Sequence, residues 1–252
     1  MHLLFIFFLV IVMPFLVMPR DITAAKKEPY EIVVQGIVGA CAGAVIVLLA
    51  ASLTGQGVFH QIQAAVEDMS GTIAGDDSII SLFNMTDMDE ADRIEFFNTL
   101  YGSMVKQIPA YIMLLSAISS YISYIILSRS LGKRSPVKMM PKFREFSFPR
   151  GTVFGLVAMY MGSWIMTTTE MLASDALYVN MNLIFDFAFS LQGISVILMF
   201  FYVKRFPKTL AVICAVIFWV TVIGRMMLVL LGMMDLIMGL KSRMATQDRK
   251  PR

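Results

Sequence analysis

The residues best suited to chemistry lie along one face of a long apolar segment. Asn182, Asp186 and Ser190 recur at every fourth position of the segment 178–203, and Gly193 follows on the same helix face. A carboxylate at bilayer depth costs about 2.5–3.5 kcal/mol on insertion scales, so Asp186 is expected to face the bundle interior and to have a partner. Such a group can bind a polar solute or form half of a structural ion pair.

The expected partner of Asp186 is Arg225, the only basic residue deep inside a predicted membrane segment. Counted at about 1.5 Å per residue, both side chains fall in the outer part of the bilayer. Glu170, at the outer end of another segment, lies near the same level. We predict a buried ion pair or an outward-opening solute site, and the two are compatible. The candidate residues for either are Asn182, Asp186, Ser190, Gln192, Arg225 and Glu170.

A second group of residues predicts close packing of helices. Gly36 and Ala40, and Gly39 and Gly43, form two pairs of small residues spaced four apart in the segment 33–53. Such pairs let another helix backbone approach closely. Two interpretations remain open here, packing within this chain and docking of a partner membrane protein.

Other chemistries lack the residues that they need. Cys41 and Cys214 are the only cysteines and both lie in apolar segments, so they are interpreted as small core residues. His2 and His60 have no second ligand at a helical spacing, so no metal site is predicted. The chain has neither a nucleophile elbow nor a nucleotide-binding loop. We therefore predict no enzymatic activity and no cofactor.

The composition is that of an integral membrane protein. The 252 residues are 58% hydrophobic and 15% charged, whereas soluble domains average about 45–50% apolar and about 25% charged residues. The basic residues lie in short loops between apolar segments, so nucleic acid is not an expected partner. The expected partners are the lipid bilayer, a small-molecule solute and another membrane protein.

The elements that carry these residues are predicted to be membrane helices. A helix needs about 20 apolar residues to cross the hydrocarbon core. Six segments are candidates: 3–18, 33–53, 109–128, 151–169, 178–203 and 209–240. We predict an all-α, polytopic transmembrane bundle that forms a single membrane domain over residues 1–252. The segment 3–18 is interpreted as a membrane helix, with a cleaved signal peptide as the alternative.

The last segment is too long for one perpendicular crossing, because 209–240 would measure about 48 Å as a straight helix. One solution is a bent pair of short helices that turns near Gly224 and Arg225 and returns the basic tail 241–252 to the cytoplasm. The other is a single span, 209–231, with an external tail. The sequence slightly favours the bent pair.

Charge asymmetry predicts the orientation in a bacterial plasma membrane. The loop 129–150 has seven basic residues against Glu145 alone, so it is expected to be cytoplasmic. The segment 54–108 has nine acidic residues against two basic ones and is expected outside. It contains a predicted amphipathic helix that Asp89 caps at its N-terminus. This helix is expected to lie on the outer membrane interface or to cover the mouth of the bundle. Its apolar face is Ile94, Phe97, Leu100, Tyr101 and Met104.

Three short motifs carry a family resemblance. "FSFPRGTVFG" (146–155) precedes a segment with Trp164, "LQG" (191–193) follows Asn182, and "LLGMMDLIMGLKSR" (230–243) closes the chain. This succession resembles the YybS-like, DUF2232 family of bacterial membrane proteins. The resemblance brings with it no established biochemical activity that could be expected of this chain. It implies a general plan similar to the S-components of energy-coupling-factor vitamin transporters, which bind a solute near the outer face and dock on a separate transport module.

The resemblance also concerns the start of the chain, because family members usually have further spans before the segment matching 3–18. It implies either a misplaced start or a shortened member. Two functions are therefore expected, a solute-binding or transporter-like subunit and, alternatively, a membrane scaffold for envelope or developmental processes. A cavity lined by Asn182, Asp186, Ser190 and Arg225 would favour the first, whereas a tightly filled bundle with an exposed groove at 36–43 would favour the second.

Overall fold

All the regular secondary structure is helical in the part of the chain that the computed structural model describes. The described residues are 2–24, 27–53, 58–132, 137–148, 150–171 and 175–248. The all-α, polytopic class is therefore confirmed. The chain divides into two compact units, Met1–Met140 and Pro141–Arg252. The single membrane domain expected from the sequence stays a prediction.

The first unit contains seven helices in its described residues: α1 (His2–Val17), α2 (Pro19–Ala24), α3 (Pro29–Leu53), α4 (Val58–Ala74), α5 (Asp77–Leu82), α6 (Glu90–Lys106) and α7 (Ile108–Leu131). Helices α1, α3 and α7 pack against one another. Ala40 on α3 is completely buried beside Val10 on α1. The Ser119 hydroxyl of α7 donates to the Ile11 carbonyl of α1 at 3.2 Å. Small and polar side chains thus hold three apolar helices together.

The acidic segment forms a small helical layer of its own. Asp89 caps α6 as expected, because its carboxylate accepts the Glu90 amide at 2.8 Å. The apolar face of α6 packs on α4 and α5, where Phe97 is buried with Ala74 and Ile80. Most of this face is therefore covered by the chain itself, and the location of the helix at the outer interface or the mouth of the bundle stays a prediction. Met104 alone, 48% exposed, points away from this contact.

The second unit is built around one long helix. Its described elements are a short 3-10 turn (Phe143–Glu145), α8 (Arg150–Thr168), α9 (Ala176–Val203), α10 (Lys208–Val220), α11 (Val222–Met238) and α12 (Leu240–Asp248). Every other element of the unit packs against α9. Helix α9 carries all the residues of the predicted polar stripe, so its packing determines which of them are buried.

The final apolar segment is a bent pair of helices. Helices α10 and α11 meet at 109°, and Thr221 between them has an extended backbone. The break lies at Thr221, so the position near Gly224 and Arg225 expected from the sequence was wrong by three residues. Gly224 lets the start of α11 approach the end of α10, because a Cβ at this position would lie 2.4 Å from the Phe218 carbonyl oxygen.

Four described helical segments are long and apolar enough to cross a membrane, and the bent pair brings this number to five. They are Phe5–Ala24, Pro29–Ala50, Ile108–Leu131, Ala176–Val203 and the pair formed by α10 and α11. The sixth segment expected from the sequence, 151–169, corresponds to α8. Its apolar part, Val153–Thr168, is shorter than the other spans. Six membrane crossings therefore stay a prediction.

Candidate functional site

Two glycines bring the backbones of α9 and α11 into contact. A Cβ at Gly193 would lie 2.1 Å from the Leu228 carbonyl oxygen, and one at Gly232 would lie 2.1 Å from the Phe189 carbonyl oxygen. Only hydrogen fits at these positions, so the two helices approach more closely than larger side chains allow. This close approach lets polar side chains of the two helices reach each other.

Gln192, beside Gly193, is the centre of a buried hydrogen-bond network. Its side chain is fully buried, and its amide nitrogen donates to Asp235 Oδ2 at 2.5 Å. Its amide oxygen accepts the Phe148 backbone N–H at 3.3 Å. Gln192 therefore joins α9 to α11 and to the segment 146–148, which precedes α8.

Asp235 forms an ion pair that the chain folds back to make. Gly239 ends α11 with φ 62°, a left-handed conformation that glycine adopts easily. The turn brings Lys241 to Asp235, with Nζ 3.2 Å from Oδ2. The other carboxylate oxygen, Oδ1, accepts the Lys241 backbone N–H at 2.8 Å. Asp235 thus pairs with the ammonium and also caps the first turn of α12.

Lys241 completes the network from the other side. Its Nζ donates to Ser195 Oγ at 2.7 Å and to the Phe146 carbonyl oxygen. Asp235 is 4% exposed and Lys241 9% exposed, so water hardly reaches either charge. Burial lowers the pKa of Lys241, and the adjacent Asp235 carboxylate opposes that shift. We name Gln192, Ser195, Asp235 and Lys241 the polar cluster.

The polar cluster is closed, because its members satisfy one another and leave no open ligand position. It holds three separate parts of the second unit on α9: the segment 146–148, α11 and α12. An additional contact lies beyond it, where the Arg144 guanidinium covers the Tyr202 ring at 3.5 Å. Among the residues described, no group of three or more His, Cys, Asp or Glu side chains could hold a metal ion.

Only one residue of the predicted site enters the polar cluster, and that residue is Gln192. Ser190 is buried, and its hydroxyl has no hydrogen-bond partner among the described residues. Asn182 and Asp186 are half-buried on α9, whereas Glu170 and Arg225 are exposed, the former in a positive-φ turn after α8.

Asp186 and Arg225 are near enough to interact electrostatically. They are not among the ion pairs within 4.0 Å that join described residues. The predicted ion pair and the predicted outward-opening solute site therefore stay predictions.

The small residues of α3 pack within the chain. A Cβ at Gly36 would lie 2.1 Å from the Met18 side chain, and one at Gly43 would lie 2.6 Å from Leu9. Gly39 faces Val17, and Ala40 is completely buried. The first unit thus fills this groove with its own residues, which favours the packing interpretation over docking of a partner at Gly36, Gly39, Ala40 and Gly43.

A cavity of about 560 Å³ lies among α9, α10, α11 and α12. Its walls are apolar except for one guanidinium. The lining residues are Val196, Ile197, Phe200, Phe201, Cys214, Phe218, Leu231, Leu240, Arg243 and Met244. None of the residues predicted for a solute site lines it, and neither does any member of the polar cluster.

Sequence reasoning missed Ser195, Asp235 and Lys241 as members of a site. The available signal was a second acidic residue in an apolar segment, since Asp235 stands in "LLGMMDLIMGLKSR" as Asp186 stands in its own segment. A carboxylate inside the membrane is costly without a partner, at whatever position in the sequence it occurs. The same criterion therefore identifies Asp235 as well.

Comparison with known proteins gives a consistent result. The family model described as "Predicted membrane protein (DUF2232)" matches residues 3–236. A relative from Bacillus subtilis (strain 168), "Uncharacterized protein YybS", is 31% identical over 130 residues. The aligned region covers 51% of this chain and 41% of that relative. No solved structure matches the chain.

Proposed function

The chain belongs to the DUF2232 family of predicted membrane proteins, and we propose that it is a solute-binding, transporter-like subunit that catalyses no reaction. We place it in the bacterial plasma membrane as a multi-pass protein. The observation that carries this proposal is the buried Asp235–Lys241 pair between α11 and α12, which Gln192 and Ser195 connect to α9.

A buried ion pair is a poor way to gain stability alone. Replacing such a pair by apolar side chains of similar volume is often neutral or stabilising, by about 1–4 kcal/mol. Charged groups among membrane helices commonly mark the paths of solutes and ions or the elements that gate them. The Asp235–Lys241 pair is therefore better explained by a role than by stability.

The proposed role is that of a latch. In the closed form, Lys241 is held by Asp235, Ser195 and the Phe146 carbonyl. A polar solute that supplies alternative partners for Lys241 and Asp235 would favour an open form, since a ligand shifts an equilibrium through its differential affinity for the two states. Opening would free the segment 146–148 and α12 from α9.

The test compares the wild type with the charge-free double variant Asp235→Asn/Lys241→Met, purified in mild detergent and analysed by mass spectrometry for retained small molecules. We expect the wild type to retain a solute in near-stoichiometric amount and the double variant to retain at least about tenfold less, since charged hydrogen bonds contribute about 1.5–3 kcal/mol. The variant Glu28→Gln/Lys138→Met, which removes an exposed ion pair, is the control and should retain the solute. Equal retention by all three proteins would reduce the polar cluster to a structural role.

A membrane scaffold is the second candidate, and one observation favours it. The acidic segment exposes large apolar side chains, among them Leu82 at 77%, Phe83 at 49% and Phe96 at 39%. Exposed apolar side chains rimmed by charge suit a protein contact. If the scaffold role is correct, the purified wild type should retain no small molecule, and a membrane protein should co-purify with it in a fixed ratio. The double variant Leu82→Ser/Phe83→Ser should lose this co-purifying protein.

The proposed orientation has its own test. On a background without Cys41 and Cys214, a cysteine is placed at Ser81 in the acidic segment or at Met139 in the basic loop, both exposed in the first unit. Because basic loops are retained inside, we expect an impermeant maleimide added to intact cells to label Ser81→Cys. It should leave Met139→Cys unmodified until the cells are permeabilised. The reverse labelling pattern would invert the topology.

A further inference from the structure

We propose that the cavity among α9, α10, α11 and α12 binds an acyl chain of an anionic phospholipid, with the lipid phosphate held by Arg243. This site is separate from the polar cluster, because no residue of the polar cluster lines the cavity. The lipid proposal does not rest on the latch, although both involve α12, which lines the cavity through Leu240, Arg243 and Met244.

The size and lining of the cavity suit an acyl chain. A volume of about 560 Å³ falls within the range of roughly 300–1,000 Å³ in which proteins bind small ligands. The cavity lies beside the 109° bend, with Cys214 and Phe218 contributed by α10 and Leu231 by α11. Apolar walls favour a hydrocarbon chain over a polar solute, because a polar group placed there loses its hydration without replacement.

Arg243 supplies the specificity for an anion. It is exposed at the edge of the cavity, and it is absent from the ion pairs within 4.0 Å that the structure shows among described residues. Lys241, two residues earlier, is by contrast already paired with Asp235. A planar guanidinium binds a phosphate group through two parallel hydrogen bonds.

Further positive charge lies at the C-terminal end of α9, the end that lines the cavity. Lys204, Arg205 and Lys208 are exposed in and beside the turn that joins α9 to α10. Basic residues near the membrane surface attract anionic lipids by about 1 kcal/mol each. The apolar cavity and its basic edge together match a lipid with an anionic headgroup. A free phosphate ion would use only the edge.

The cavity contains its own reporter, the thiol of Cys214. On the Cys41→Ala background, the rate of Cys214 modification by a maleimide is measured in neutral detergent with added phosphatidylglycerol or phosphatidylcholine. We expect phosphatidylglycerol to slow the modification several-fold and phosphatidylcholine to change it little. Arg243→Gln should require about tenfold more phosphatidylglycerol for the same protection, because a charged hydrogen bond is lost.

Two controls separate specific binding from general effects. Arg129→Gln, at the end of α7 in the first unit, removes an exposed arginine that does not line the cavity and should leave protection unchanged. Arg243→Lys keeps the charge and should retain part of the protection. Native mass spectrometry provides the second measurement, with phosphatidylglycerol retained by the wild type and lost from a monodisperse Arg243→Gln protein.

Three results would overturn the proposal. Equal protection by phosphatidylglycerol and phosphatidylcholine would indicate ordinary contact with bilayer lipid. Protection by inorganic phosphate alone would identify a site for a soluble anion. Unchanged protection in a folded Arg243→Gln protein would show that the guanidinium does not hold the headgroup.

Discussion

Replacing Asp235 with Asn, or Lys241 with Met, is expected to lower the free energy of unfolding by about 3–5 kcal/mol. Each change leaves the opposite charge buried without its partner, since the Asp235 and Lys241 side chains are only 3% and 11% exposed. Asp235→Asn also weakens the cap that receives the Lys241 backbone N–H. Thermal unfolding in one detergent, with all variants at the same protein concentration, measures these losses.

The double variant Asp235→Asn/Lys241→Met should recover a large part of the loss, because no unpaired charge remains. The exposed pair Lys138–Glu28 is the matched control. Its Nζ and Oε1 atoms are 2.7 Å apart, but the side chains are 45% and 66% exposed. Exposed pairs contribute about 0–1 kcal/mol, so Glu28→Gln and Lys138→Met should have little effect. Strictly additive losses for Asp235→Asn and Lys241→Met would contradict the pair.

The fold class was predictable because membrane helices leave a direct signal in composition. Apolar runs of about 20 residues identify helices without knowledge of their packing. The cap at Asp89 was equally local, since an N-cap side chain bonds to the first turn that follows it. The bend in 209–240 was the favoured one of two solutions to a segment that is too long for one perpendicular crossing. Its position at Thr221 did not follow, since no glycine or proline marks it.

The polar cluster was not predictable from helical periodicity. Periodicity joins residues three or four positions apart, and it correctly places Asn182, Asp186 and Ser190 on one face. Asp235 and Lys241 are six positions apart, and they meet only because Gly239 turns the chain between two helices. Gln192 reaches Asp235 across 43 positions in the sequence, through tertiary packing that one sequence does not reveal.

Gly193 shows the same limit. Its spacing from Asn182 assigned it to the polar stripe, which is correct for the helix face but does not explain why the residue is glycine. The explanation comes from α11, whose Leu228 carbonyl occupies the space that a side chain would need. Because this partner follows the break at Thr221, the role of Gly193 depends on a bend that the sequence placed three residues too late.

Gly193→Ala is accordingly expected to destabilise the protein, although alanine is the better helix former. The new Cβ would lie 2.1 Å from the Leu228 carbonyl oxygen, and that atom belongs to the backbone of α11. A helix must therefore shift, and overpacking of this kind costs about 1–3 kcal/mol or more. Gly162→Ala on α8 is the matched control, because nothing lies within 4 Å of its Cβ. It should be neutral or stabilising by up to about 1 kcal/mol.

The same substitution also tests the link between the glycine contact and the polar cluster. If α11 moves away from α9, the 2.5 Å hydrogen bond from Gln192 to Asp235 lengthens or breaks. Asp235→Asn should then cost less in the Gly193→Ala background than in the wild type, since residues in one network couple by about 0.5–3 kcal/mol. Thermal unfolding of the two single variants and the double variant gives this coupling. A stabilising Gly193→Ala, or a zero coupling energy, would show that the α9–α11 contact does not hold the polar cluster together.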